Sequence, residues 1–135
     1  MSAFYTRATM KRVFISFQNE DRRYADLIDA WAANDNDDFG LYNERLRVAV
    51  NSVQGEYIKS KLRPKIARAS ILLCIIGAGT ARSEWVNWEI AEARRSRKKL
   101  VGLLIKPHYS KPREIQNARA TFVSYQKDAI LRAIS

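Results

Sequence analysis

Glu89 follows Trp85 by four residues in the run Ser83-Glu84-Trp85-Val86-Asn87-Trp88-Glu89-Ile90-Ala91-Glu92-Ala93. On a helix, at about 100° per residue, the indole and the carboxylate fall within about 40° of each other around the axis. That places a stacking surface beside a negative charge, which makes the pair a candidate site. Val86, Ile90 and Ala93 lie on a separate arc, so the helix is expected to dock through them while Trp85 and Glu89 look elsewhere. A plainer reading competes at each position. Glu89 can be a solvent-facing residue paired with Arg94 or a neighbour. Trp85 can be packing, and Trp88 fits a core or protein-contact role better than a substrate role.

The other reactive side chains point nowhere comparable. Cys74 is the only cysteine and sits inside the apolar run Ile71 to Ile76, where a thiol is a core residue. His108 is the only histidine and lies in a loop between Pro107 and Pro112. No His/Cys/carboxylate cluster has metal-ligand spacing, so no metal is expected. The formal charge of +10 over 135 residues invites a nucleic-acid reading. Much of that charge is Arg94, Arg95, Arg97, Lys98 and Lys99, at the end of the Trp85 helix, where cations complement the helix dipole. No aromatic residue interleaves that run and no RNA-binding signature accompanies it, so nucleic acid is disfavoured. A basic surface would equally attract an anionic small molecule such as a dinucleotide.

The elements that must position the pair read as alternating strands and helices. Val13 to Phe17 is a short apolar strand. Asn19-Glu20-Asp21 offers helix-start residues, and Tyr24, Leu27, Ile28 and Trp31 follow with i, i+3, i+4, i+7 spacing. Phe39 to Tyr42 is a weak second strand, and Asn51 to Gly55 reads as a loop. Tyr57 to Ala69 is helical, with Pro64 expected near a helix start or at a kink. Ile71 to Ile76 is apolar on both faces and therefore central. Leu100 to Ile105 is the fourth strand, Thr121 to Ser124 the fifth, and Tyr125 to Ile134 a closing helix. No linker or repeat divides residues 1–135, so a single domain is expected. The pattern predicts an α/β, flavodoxin-like three-layer sandwich: a five-stranded parallel sheet of order 2-1-3-4-5 with helices on both faces. In that order ligands bind beyond the carboxyl ends of strands 1 and 3, at Phe17-Gln18-Asn19 and Gly77 to Ser83. The Trp85 helix begins there. The absence of a secretory pattern at Met1 to Arg12, and of any apolar run near ~20 residues, predicts a cytoplasmic protein with no membrane span.

Three segments resemble the TIR (Toll/interleukin-1 receptor) domain family, most closely the TIR-like proteins of bacterial Thoeris anti-phage defence. Arg12-Val13-Phe14-Ile15-Ser16-Phe17 with Glu20-Asp21 resembles the first-strand box. Ala69-Ser70-Ile71 through Ile76-Gly77 resembles the central strand. Ser83 to Ile90 resembles the segment that carries the essential glutamate of NAD-cleaving TIR domains. The likeness spans about residues 12 to 105, and Tyr42 to Gly55, where TIR domains carry a variable loop, aligns poorly.

The resemblance implies NAD⁺ as substrate, with no further cofactor, cleaved at the nicotinamide–ribose bond with Glu89 as the catalytic carboxylate. Nicotinamide leaves neutral, so no acid need protonate it, and the oxocarbenium-like transition state can be stabilised by one carboxylate. Trp85 would stack on a substrate ring, Ser83 would cap the helix or bond substrate, and Phe17, Gln18 and Asn19 would line the opposite wall. Water capture gives ADP-ribose; attack by a hydroxyl of the same molecule gives a cyclic signal for a separate effector. Self-association with other TIR copies is implied too. The alternative is a non-catalytic TIR-type adaptor acting through homotypic or heterotypic contacts, since some family members catalyse nothing. A receiver-like reading fails because Gly77 stands where the phosphorylatable aspartate would be.

Overall fold

Val13-Phe14-Ile15-Ser16 and Ile71-Leu72-Leu73-Cys74-Ile75-Ile76 are buried at every position. Strands without a polar face must be covered on both sides, and that requirement sets the architecture. A computed structural model describes residues 12–31 and 48–135. In chain order these form strand β1 (Val13–Ser16), a 3₁₀ turn (Asn19–Asp21) and helix α1 (Arg22–Trp31). Helix α2 (Val53–Arg68), strand β2 (Ile71–Ile76), a second 3₁₀ turn (Thr80–Arg82) and helix α3 (Glu84–Arg95) follow. Strand β3 (Lys99–Leu104), the short helix α4 (Arg113–Gln116), strand β4 (Ala120–Ser124) and helix α5 (Lys127–Ile134) complete the chain.

The four described strands are parallel, in the order β1-β2-β3-β4. The five-stranded expectation is therefore corrected to four strands among the described residues, because the expected strand at Phe39 to Tyr42 lies outside them. The other four expected strands stand in the expected relative order. Their side chains alternate between two cores. Val13, Ile15, Ile71, Leu73, Ile75, Val101 and Leu103 face Ala25 and Ile28 of α1 and Ile130 and Ile134 of α5. Phe14, Leu72, Cys74, Ile76 and Leu100 face Ile58, Leu62 and Ile66 of α2 and Val86, Ile90 and Ala93 of α3. That is a three-layer α/β sandwich.

Several boundaries differ from the sequence expectation. Helix α1 is present, but its buried centre is Ala25 and Ile28, and Leu27 is 43% exposed. The supposed loop Asn51 to Gly55 instead holds the start of α2. Ser52 caps it by accepting the Gly55 N–H at 2.9 Å, and Val53 to Gly55 are its first turn. Glycine suits that turn because a Cβ at residue 55 would stand 2.3 Å from the Ala49 carbonyl oxygen. Pro64 is well inside α2 rather than at its start. It supplies no N–H for the Ser60 carbonyl, and both residues are exposed, where water can satisfy that oxygen.

The end of α3 explains the basic run. Lys98 N–H bonds to the Ala93 carbonyl at 2.9 Å and Arg97 N–H to the Arg94 carbonyl at 3.0 Å, the two closures of a Schellman motif. Arg97 occupies the left-handed position with φ 59°. Its neighbours are engaged within the chain: Arg94 with Glu114 at 2.8 Å, and Arg95 with Glu92. The Lys98 ammonium donates to the Ala67 carbonyl at 2.8 Å and that of Lys99 to the Ala133 carbonyl at 2.7 Å. Arg94, Lys98 and Lys99 thereby tie the end of α3 and the start of β3 to α4, α2 and α5. Arg97→Gly, which relieves a left-handed arginine, is expected to raise stability by about 0.5–1 kcal/mol. Urea unfolding would measure it, and an unchanged or lower midpoint would contradict it.

Candidate active site

Helix α3 starts just past the carboxyl end of β2, with the Ser83 hydroxyl accepting the Val86 N–H at 3.1 Å. The capping role expected of Ser83 is thus present. The helix does not present a narrow apolar arc with Trp85 and Glu89 turned outward. Trp85, Val86, Asn87, Glu89, Ile90, Glu92 and Ala93 are all buried. The sheet, α2 and α4 all pack against α3, so its buried arc is wide.

Glu89 has no exposed surface and reaches the end of β1, where the Ser16 hydroxyl donates to its Oε1 at 2.6 Å. Ser16, which the sequence reading did not single out, is itself fully buried. Its signal in the sequence is a polar residue closing an otherwise apolar strand. Cys74 sits opposite Ser16 in the sheet register. Burial first, and then the Glu89 and Asp21 carboxylates, push its thiol far above the ordinary range, so it is a neutral core thiol and not a nucleophile. The plainer reading of Glu89 as a solvent-facing partner of Arg94 fails on both counts: Glu89 is buried, and Arg94 pairs with Glu114.

Trp85 is 8% exposed, belongs to the core beneath α2 and α3, and donates its indole N–H to the Val48 carbonyl at 3.1 Å. Trp88 meets it edge-on at 5.9 Å and carries the Lys59 and Arg63 side chains over its ring, at 5.7 and 5.5 Å. Phe17 is 2% exposed and packs into the core on the α1/α5 side. Strand alternation sends it to the face opposite Ser16. Asn19 is exposed. Gln18 bridges the two walls: its amide nitrogen, oriented by its surroundings, donates to Glu20 Oε1 and the Gly79 carbonyl at 3.1 Å each.

A second bridge joins the same two loops. Thr80 Oγ1 accepts the Gly77 N–H at 2.8 Å and donates toward the Ile75 carbonyl at 3.2 Å, with Asp21 Oδ2 at 3.4 Å. Asp21 lies so close to the turn that a Cβ on Gly77 would displace its carboxyl group from the Thr80 turn. Burial and then Glu20 raise the Asp21 pKa, against the Thr80 hydrogen bond and Arg23. Asn87 fixes the far side. Its Nδ2 donates to the Ser83 and Ala81 carbonyls at 3.0 and 3.3 Å, and its Oδ1 accepts the Glu114 N–H at 3.1 Å. Neither Asp21 nor Asn87 stood out as a site residue from the sequence, since both roles exist only between elements. Among the described residues, no group of three His, Cys, Asp or Glu side chains could hold a metal ion, and no helix is long and apolar enough to cross a membrane.

The fold is thus a parallel α/β sandwich with a buried helix carboxylate hydrogen-bonded at the carboxyl end of its first strand. The model of the Thoeris protein ThsB TIR-like domain matches residues 14–112, and the chain belongs to that family. Among solved structures it is similar to the CMP N-glycosidase BcmB of Clostridium botulinum. The match has 19% identity and a TM-score of 0.55, over 90% of this chain and 96% of that one. At that identity the likeness establishes the fold. No curated protein sequence matches significantly.

Two outcomes follow from the site's packing. Asp21 holds its proton more tightly folded than at its ordinary 3.8. Its contribution therefore favours folding at low pH and is lost as pH rises through the folded value. Asp21→Asn is expected to be more stable than the parent at pH 7, with the gain vanishing by about pH 3; a gain that persists in acid would contradict this. Asn87→Leu removes the side-chain partners of the half-buried Glu114 N–H and Ala81 carbonyl, while the Ser83 carbonyl keeps the residue-87 backbone N–H, and is expected to cost about 1–2 kcal/mol in urea unfolding.

Proposed function

We propose that this protein cleaves the N-glycosidic bond of a nucleotide, that the nucleotide is NAD⁺, and that the product serves as a signal in anti-phage defence. One observation carries the reading: Glu89, a fully buried carboxylate, is held at 2.6 Å by Ser16 at the carboxyl end of β1, in a chain of the Thoeris TIR-like family. The similar fold of a protein described as a CMP N-glycosidase supports the same bond class.

In the proposed reaction the bond between nicotinamide nitrogen and ribose C1′ breaks, and its electron pair leaves with the neutral nicotinamide. Positive charge develops on the ribose, and the Glu89 carboxylate stabilises it; in a dry site such an interaction contributes a few kcal/mol. Water adding to C1′ and losing a proton gives ADP-ribose. Capture by a nucleophile of the same molecule gives a cyclic product, the form suited to activating a separate effector. Because Glu89 is fully covered, substrate entry requires the groups around it to part. Self-association with further copies in the cytoplasm is the proposed occasion. Gln18, Asn19 and Ser83 form the proposed rim at the two strand ends and Trp85 backs the α3 side, while Phe17 packs on the other face of the sheet. The competing reading, a non-catalytic adaptor, rests on the same closure of Glu89.

Mass analysis of NAD⁺ incubated with concentrated protein, beside folded Glu89→Gln, separates the two. Nicotinamide release is expected, falling by roughly 10²-fold or more in the variant, and the mass of the second product distinguishes the linear from the cyclic outcome. Equal release by folded Glu89→Gln would remove Glu89 from the chemistry. No release by the concentrated protein would leave the adaptor.

A further inference from the structure

We propose that Ser16 is a positioning residue for Glu89, fixing the plane of its carboxylate so that the charge faces the reacting sugar carbon; this rests on the catalytic reading given above. Ser16 and Glu89 are 73 positions apart in the chain and both have no exposed surface, yet their oxygens stand at 2.6 Å. That length is within the range of charge-assisted O–H···O⁻ bonds. Val13, Phe14 and Ile15, the other residues of β1, are apolar and at most 1% exposed. An apolar side chain at position 16 would continue that pattern and satisfy packing. A hydroxyl there gains nothing from burial unless it serves a partner, and the partner it serves is Glu89.

Two near neighbours, Cys74 and Glu92, are not comparable donors. Cys74, across the register from Ser16, is a neutral thiol and a weak donor. Glu92, one turn along α3, is occupied with Arg95 and Arg63. A carboxylate on a helix turns about its last side-chain bond, and a donor on the sheet removes that freedom relative to the strand ends. Small misplacements at such a group are expensive: about 1 Å can cost 10²-fold in rate.

The test compares Ser16→Ala and Ser16→Thr with the parent in three readouts: NAD⁺ turnover, thermal unfolding, and titration of the Glu89 carboxyl carbon by NMR of ¹³C-glutamate-labelled protein, assigned against Glu89→Gln. In Ser16→Ala, kcat is expected to fall about 10- to 100-fold with KM little changed, and the Glu89 titration to move up by about one pH unit. Ser16→Thr, which restores a hydroxyl, recovers both. Should Ser16→Ala not fold, Ser16→Cys keeps the volume, loses the strong donor, and carries the same expectation. An unmoved Glu89 titration overturns the proposal whatever the turnover. A moved titration with unchanged kcat overturns the positioning role as well. A moved titration in a parent protein that does not turn over NAD⁺ supports the hold of Ser16 on Glu89 and overturns the NAD⁺ reading instead.

Discussion

A carboxylate with no exposed surface constrains everything around it. Burying a polar group without partners is costly on the scale of a domain's net stability, so the Glu89 carboxyl needs hydrogen-bond partners built into the fold. One such partner is the hydroxyl of Ser16, carried to it by the end of β1. For the two to meet at 2.6 Å, the β1–β2 register, the start of α3 and the packing of α3 on the sheet must all be fixed together. The loops at the carboxyl ends of the strands can be read as the means of fixing them.

Those loops are tied by polar bonds rather than by apolar contact. Thr80 closes its own turn through Gly77 and the Ile75 carbonyl, with the Asp21 carboxylate alongside. Gln18 reaches Gly79 from the β1 side, and Asn87 closes the other flank onto α4. Buried polar networks of this kind are favourable only when their members are satisfied, and they then specify one arrangement. Asp21 is the exception that carries a cost, since its carboxyl is desolvated beside Glu20. Such a local cost at the rim of a candidate site is the pattern expected where function, not stability, sets the residue.

Part of the positive charge serves the fold itself. Around the end of α3, Arg94 and Arg95 are paired with carboxylates, and Lys98 and Lys99 satisfy carbonyl groups of α2 and α5. Trp88, beneath Lys59 and Arg63, is a second place where cations cover apolar surface. Counting charges along the chain cannot separate cations that hold the fold from cations that face a ligand. Their partners decide which they are.

The sequence by itself determined the parallel α/β plan, the relative order of the four described strands, the position of Cys74 in the core and the Ser83 cap. Each follows from local pattern: apolar runs that demand cover on both faces, and a serine preceding a helical stretch. The family likewise lay in local motifs, at the first strand, the central strand and the Ser83 to Ile90 segment. The loop assigned to Asn51 to Gly55 became a helix start because Gly55 admits the Ala49 and Val50 carbonyls, a close approach that no propensity encodes. Spacing put Trp85 and Glu89 on one side of α3, but only the tertiary structure turned that side inward, bonded Trp85 to the Val48 carbonyl and sent Phe17 to the opposite core. The Ser16–Glu89 bond, the Asp21–Thr80 contact and the Asn87 pin were decided there too. Helix periodicity fixes directions around one axis, whereas burial and hydrogen bonding depend on what the rest of the chain brings against that axis.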